Sequence, residues 1–235
     1  MLRERNVNVG AICVITKQTV TKLKENYNFF KERNQSLNLR PMIIDGSAET
    51  FEKEFGVDID VYVANLIELL KIWFYDESCN INVQPFDMYL NMIINNKANV
   101  CCNNSCLGNW FCIEANGDIT PCNRTFPKEY TFANIKNITS FDEIFNSNAM
   151  CRLLELAIER RNKCKKDCEY FELCKGGCNH EALINGNIAN NNMPSCKIIK
   201  TLLPILKELI NTYNESMPIN PKIKNKLMNF KNKFD

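Results

Sequence analysis

The sequence has little net charge, a single histidine and no long apolar run. Its 29 Lys and Arg residues stand against 27 Asp and Glu, leaving a formal charge of +2. That balance gives no electrostatic footprint for nucleic acid or for an acidic membrane surface. No stretch reaches the roughly eighteen consecutive apolar residues of a membrane-spanning helix. Met1-Leu2-Arg3-Glu4-Arg5 leads into a strand-like segment rather than a long apolar run with a small-residue cleavage site, so no signal peptide is visible. The expected setting is cytoplasmic and reducing, where disulfides do not persist. An odd count of 13 cysteines also fits a disulfide framework poorly. No internal repeat is evident.

What is abundant is cysteine, and eleven of the thirteen fall between Cys101 and Cys196. One group reads Cys101-Cys102, then Cys106, ten residues, Gly117, four residues, Cys122. The other reads Cys164, three residues, Cys168, five residues, Cys174-Lys175-Gly176-Gly177-Cys178, and after seventeen more, Cys196. Thiolates are soft anionic donors, and a knot of them is held together by a cation. Zinc prefers four ligands in two close pairs. The three- and five-residue gaps here suit the larger iron–sulfur cubane better. Eight ligands from two discontinuous groups would hold two such clusters. His180, the only histidine, is the weaker ligand candidate, since it sits in a loop beside a full set of cysteines.

Residues 7–15 form a near-continuous apolar run suited to a strand buried on both faces. Val20, Leu23, Tyr27 and Phe30 set a helix over 19–33, and 39–44 reads as a second strand. Strand, helix and strand with short connections make a parallel βαβ unit. A polar loop at 45–58 precedes an amphipathic helix over 59–76, with Val63, Leu66, Leu70 and Trp73 on one side; a shorter helix follows at 86–94. Near residue 97 the character changes. Short strands at 110–113 and 118–120 meet across Asn116-Gly117. Helices are expected at 141–147, capped by Ser140, and at 149–161. The stretch 164–178 is too punctuated for long elements. A helix with Pro204 inside it runs from Cys196 to about Tyr213, and 217–235 reads as a solvated basic tail. Cys13, Cys79, Cys112 and Cys151 read as packing or surface residues, and Trp73 and Trp110 as core aromatics.

The order of these cysteines resembles the SPASM domain of radical S-adenosylmethionine (SAM) maturases. The intervening text is similar too. Ala115-Asn116-Gly117-Asp118-Ile119 matches the family's hairpin, and Cys174-Lys175-Gly176-Gly177-Cys178 its glycine-rich knuckle. Phe126-Pro127-Lys128-Glu129-Tyr130 resembles the stretch after the third cysteine in anaerobic sulfatase-maturing enzymes. The resemblance is specific over 100–200, while 7–95 look like later strands and helices of the radical SAM barrel. It implies an α/β fold, with a C-terminal remnant of a partial (β/α) barrel over 1–96. A small α+β SPASM domain would follow over 97–215, and a basic tail over 216–235. It also implies two 4Fe–4S clusters with interleaved ligands. Cys101 or Cys102, with Cys106, Cys122 and Cys178, would hold the first; spacing favours Cys101. Cys164, Cys168, Cys174 and Cys196 would hold the second. Gly176 and Gly177 are expected to adopt positive φ.

By resemblance, the intact enzyme abstracts a hydrogen from a peptide or protein substrate with a 5′-deoxyadenosyl radical, and its auxiliary clusters take up an electron or hold the substrate. The sequence also departs from the family. Cys164 and Cys168 are three residues apart where two are usual, and Ala133-Asn134-Ile135 replaces Gly-Asn-Ile. Asn123 follows Cys122 where sulfatase-maturing enzymes carry an Asp as general base, a role that an amide cannot fill. This disfavours sulfatase maturation relative to other peptide modifications. The SAM-cluster motif Cys-x3-Cys-x2-Cys is absent. Cys102 and Cys106 would need a third cysteine at Asn109, and Cys174 and Cys178 one at Glu181. These residues alone are therefore not expected to cleave SAM. SAM would enter with a separately encoded N-terminal radical SAM half, the expected partner beside the substrate; neither nucleic acid nor membrane is expected. Arg40, at a strand end, could reach a SAM carboxylate or a peptide, with a surface or salt-bridge role as the default. The alternative from another class is a non-catalytic peptide-binding or scaffold module held in shape by clusters or zinc.

Overall fold

The β-branched run near the start forms β1 (Gly10–Ile15), and Leu23 and Tyr27, one turn apart, bury the inner face of α1 (Leu23–Glu32). The structure is a computed structural model describing residues 5, 7, 9–96, 101, 106–214 and 216–231; Cys102 lies outside them. The chain divides into two units, one of residues 1–97 with 197–235 and the other of residues 98–196. In the first unit, β2 (Ser36–Pro41) pairs parallel with β1 from Gly10↔Ser36 to Ile15↔Pro41. The strand–helix–strand unit is therefore parallel, as expected. β2 opens three residues earlier than its apolar run suggests, because Leu37 and Leu39 alternate with Asn38 and Arg40 and bury one face.

The expectation of a first strand buried on both faces is corrected. β1 is the edge of a sheet ordered β1-β2-β3, where β3 is Val83–Gln84. Ile15 is buried, whereas Ile12 and Val14 are 71% and 54% exposed. The 45–58 segment is not a plain loop; it holds a 3-10 turn at Gly46–Phe51 and α2 (Glu52–Phe55). Asp58 caps α3 (Ile59–Tyr75), accepting from the amides of Asp60 and Val61. That helix buries Tyr62, Leu66, Leu69, Leu70, Trp73 and Phe74, each worth roughly 1.5–3 kcal/mol of burial. Trp73 meets Phe86 of α4 (Phe86–Asn95), ring centres 5.3 Å apart. Where α3 ends, Asp76 accepts from Lys31 Nζ at 2.6 Å and Tyr27 OH at 2.7 Å. Burial opposes its charge, but these bonds and those from Ser78 outweigh it and lower its pKa to about 2.

The second unit starts from the hairpin. β4 (Cys112–Ile113) and β5 (Asp118–Thr120) pair antiparallel, and β6 (Ala133–Asn134), which the sequence reading lacked, adds to β5. Gly117 turns the chain at φ +94°, and a Cβ there would lie 3.0 Å from Asn134 Oδ1. The N-cap of α5 (Asp142–Phe145) is Phe141 rather than the expected Ser140, which stands one residue earlier: its Oγ accepts from Asp142 N, and Glu143 accepts from Ser140 N, both at 3.1 Å. α6 (Asn148–Asp167) is longer than expected, running on past 161 through Cys164. Its buried stripe continues through Ala157, Arg160 and Cys164, and Lys165 and Lys166 suit a helix C-terminus. Two short helices follow, α7 (Phe171–Cys174) and α8 (Asn179–Ile184). Ile119, Tyr130, Phe132, Ile144, Met150, Leu153, Ala157 and Ile188 form the core. Trp110 is not part of it: the ring is 65% exposed, and Phe111 packs edge-on against Phe132 and Phe145 instead.

After α9 (Pro194–Thr212), the last helix α10 (Pro221–Lys231) replaces the solvated tail expected from 217. Ile219, Ile223 and Leu227 recur every four residues and are buried. Between them Lys222 reaches Asn82 at 2.6 Å and Lys226 reaches Asp87 at 2.9 Å. Lysines that lent the segment its solvated look are thus its polar fastenings. Residues 197–235 group with the first unit, so the division differs from the one expected at 215. Asn220, fully buried, donates from its backbone to Phe74 O at 2.9 Å and from Nδ2 to Trp73 O at 3.1 Å. Its Oδ1 accepts from Lys222 N at 3.0 Å, capping α10. Asn220→Ala should lower the unfolding free energy in urea by about 2 kcal/mol, from the lost cap and the orphaned carbonyl. Lys224→Ala, exposed on the same helix, should stay within about 0.5 kcal/mol of wild type.

Candidate metal centre

Four cysteines from three separate stretches meet in the second unit. Cys101, Cys106, Cys122 and Cys178 form one group in which Cys106 interacts electrostatically with the other three. Cys106 precedes β4 in a turn whose amides Asn109 N and Trp110 N donate to its carbonyl. Cys122 follows β5, where the Thr120 hydroxyl donates to its carbonyl at 3.2 Å. Cys178 is the N-cap of α8. Burial, then the neighbouring cysteines, push the Cys106 thiol up to about 11. Burial also raises Cys122, against the opposing amide of Arg124.

A second group gathers around Cys174, which interacts with Cys196, Cys164 and Cys168. Cys164 lies in the last turn of α6, and Cys168 closes that helix, its amide donating to the Cys164 carbonyl at 2.9 Å. The three-residue gap between them is therefore one helical turn, which accounts for the departure from the usual two-residue spacing. Cys174 ends α7 and Cys196 lies in the first turn of α9. Burial and the adjacent Cys196 push Cys174 up to about 12, and the amide of Gly176 opposes this by donating to the sulfur. Between Cys174 and Cys178 the chain turns through two left-handed glycines. Gly176 and Gly177 sit at φ +90° and +71°, as the sequence leads one to expect. A Cβ on Gly177 would lie 2.7 Å from the flexible end of Met193, at Cε, and its positive φ is the stronger reason for glycine there.

The donor set suits iron–sulfur cubanes. Among the described residues no three His, Cys, Asp or Glu side chains are close enough together to hold a single metal ion. A cubane instead spreads four thiolates around its corners. The structure thus brings together every described member of the two expected quartets; Cys102 lies outside the described residues. The other cysteines stay apart from these groups in role. Cys79 is buried in the first unit, Cys13 receives Asn26 Nδ2 at 3.6 Å, Cys112 lies half-buried in β4, and Cys151 is exposed on α6. His180 is buried with its ring against Phe126, centres 5.6 Å apart. Asn123 is exposed beside Cys122. Arg40 is exposed on β2, paired in register with Val14.

The residue that sequence reasoning missed is Arg160. Its guanidinium is 1% exposed, donates from Nε to Gly176 O at 2.8 Å, and bonds Ile188 O and Asn179 Oδ1. Burial lowers its pKa, while Cys164, Cys178 and Cys106 pull the other way. The signal was present in the pattern: Met150, Leu153, Ala157, Arg160 and Cys164 share one helical stripe, with a charge among apolar neighbours.

Comparison with known proteins points to iron–sulfur chemistry. Residues 101–179 match the SPASM family, an iron–sulfur cluster-binding domain. A cysteine-type anaerobic sulfatase-maturating enzyme of Clostridium novyi is 26% identical over 204 residues, covering 86% of this chain and 54% of the relative. One from Clostridium perfringens is 26% identical over 184 residues, covering 76% of this chain and 48% of its own length. The chain thus spans about half the length of the curated relatives it matches, and it is homologous to their C-terminal part. The fold is shared with native anSMEcpe with bound AdoMet, at TM-score 0.72 and 23% identity, covering 89% of this chain and 58% of the other. The same protein with bound AdoMet and Kp18Cys peptide gives TM-score 0.69 and 22% identity over 89% and 59%. Among the described residues no helix is long and apolar enough to cross a membrane.

A pH dependence follows for the metal-free protein. Thiols whose folded pKa is raised from 9.0 to about 11 and about 12 hold their protons more tightly folded than unfolded. Their contribution to stability is complete below pH 9 and is lost as pH rises through the folded values. Under reducing, chelating conditions the thermal midpoint should therefore fall between pH 9 and pH 11. The double variant Cys106→Ser with Cys174→Ser should flatten that fall.

Proposed function

We propose that this chain, which carries a SPASM iron–sulfur cluster-binding domain over 101–179, supplies the auxiliary-cluster part of a radical SAM peptide- or protein-modifying maturase. The observation that carries the reading is the gathering of cysteines from distant stretches into two interleaved quartets. On this reading Cys101, Cys106, Cys122 and Cys178 hold one 4Fe–4S cluster, and Cys164, Cys168, Cys174 and Cys196 hold the other. Such clusters supply one-electron storage and transfer when bound. With four thiolates assigned to each, no iron is left open for substrate, and the role assigned to the domain is electron transfer. The amides of Gly176 and Arg124, directed at Cys174 and Cys122, stabilise thiolate charge at those sulfurs.

The substrate class is a peptide or protein side chain, by analogy with the peptide-bound relative. SAM enters this scheme through a segment carrying Cys-x3-Cys-x2-Cys, a motif that is not among these residues. A cytoplasmic, reducing setting belongs to the same reading, since thiolate ligands need it. Exposed Asn123, where the general base of sulfatase maturation would stand, directs the proposal toward other peptide modifications.

Anaerobic reconstitution with iron and sulfide should load about eight iron per chain, read by iron analysis and by the brown absorption. Cys122→Ala and Cys174→Ala should each remove about half of that iron. Cys151→Ala, an exposed cysteine outside both quartets, should remove none. A colourless, iron-free and well-folded wild-type product would overturn the reading.

A further inference from the structure

Arg160 is a full positive charge in the interior of the 98–196 unit, and the packing of an iron–sulfur domain does not by itself call for one. An arginine stays protonated even when buried, so the charge is permanent. Burying it is costly unless acceptors surround it, and here three do. Nε donates to the Gly176 carbonyl at 2.8 Å, inside the knuckle that joins Cys174 to Cys178. The other two nitrogens donate to the Ile188 carbonyl and to Asn179 Oδ1. Ile188 lies on the run leading to Cys196, and Asn179 follows Cys178 directly, with its own Nδ2 4.0 Å from Cys106 Sγ. The guanidinium fork therefore ties α6 to the segments that carry ligands of both quartets. Its charge interacts with Cys164 of one quartet and with Cys178 and Cys106 of the other.

We propose that Arg160 is a shared positioning residue of the two cluster sites: one buried cation whose fork fixes the Cys174–Cys178 knuckle and the approach to Cys196, and whose charge raises the reduction potential at both sites. This rests on the cluster-binding reading given above. A cluster that accepts an electron gains negative charge, and a fixed cation nearby stabilises the reduced form. Because the cation is buried, salt does not screen it as it would a surface arginine. A single side chain thus biases both one-electron couples in the same direction, and neither quartet contains it.

Two variants separate the charge from the fork. Arg160→Gln removes the charge and keeps part of the hydrogen bonding. In anaerobically reconstituted protein, redox titration followed by electron paramagnetic resonance should show both couples moved to more negative potential. The expected size is about tenfold in each reduction equilibrium, which is about 59 mV for a one-electron couple. Arg160→Lys keeps the charge, but one amine cannot span Gly176, Ile188 and Asn179. It should hold both potentials near wild type while releasing iron to a chelator at least tenfold faster. If Arg160→Gln does not fold, the lysine variant decides alone through its iron-release rate. Unchanged potentials in a loaded glutamine variant, or unchanged iron release in the lysine variant, overturn the assignment. Failure of the wild-type chain to take up iron would instead strike the cluster reading, so the two failures are distinguishable.

Discussion

Sulfur gathered against sulfur is unfavourable, and the 98–196 unit is arranged around that fact. Half-buried Cys106 and buried Cys174 each have three other cysteines nearby, and burial first, then those neighbours, pushes both well above the ordinary thiol value. In the absence of a cation the protein answers by keeping protons on them. A metal cluster answers by replacing those protons with positive charge, so binding and folding become one equilibrium. Donors already directed at the sulfurs, the amides of Gly176 and Arg124, and the buried Arg160 cation stabilise the deprotonated form. These contributions offset only part of the burial that keeps the sulfurs protonated.

The order of ligands along the chain serves the same end. A unit of this size has a modest apolar core, centred on Ile119, Phe132, Met150, Leu153 and Ile188. Cys178 belongs with Cys106 and Cys122 at the hairpin, while its near neighbour Cys174 belongs with Cys164, Cys168 and Cys196. On the proposed ligation, each quartet closes a loop that the other also crosses. Gly176 and Gly177 make the change of quartet possible within four residues, because positive φ at both lets the chain reverse between two sulfurs. Arg160, bonded to the Gly176 carbonyl in the middle of that reversal, fixes where it happens.

Much of this was legible in the sequence, because metal ligation is written in residue type and spacing. The crowding of cysteines, the Asn116-Gly117 turn and the parallel βαβ unit announce themselves locally, whereas the division of the cysteines into two quartets came only from the family resemblance. What was not legible depended on partners far away in the chain. α6 was cut short because cysteine spacing reads as punctuation, although Lys165 and Lys166 are good helix-ending residues. α10 was read as solvated because its lysines outnumber Ile219, Ile223 and Leu227; their partners Asn82 and Asp87 lie some 140 residues earlier. β6 is two residues long and has no pattern of its own. Arg160 takes its meaning from Gly176, Ile188 and Asn179, acceptors that lie 16 to 28 residues later in the chain.

The first unit presents a different unsolved demand. Its parallel sheet buries Ile15, Leu37, Leu39 and Val83 on one face, while the other carries Ile12 and Val14 in register with Asn38 and Arg40. Asn38 keeps a buried Oδ1 with no hydrogen-bond partner, which ordinarily costs free energy. A face that mixes exposed aliphatic side chains, an unsatisfied amide oxygen and an exposed guanidinium is poorly suited to water.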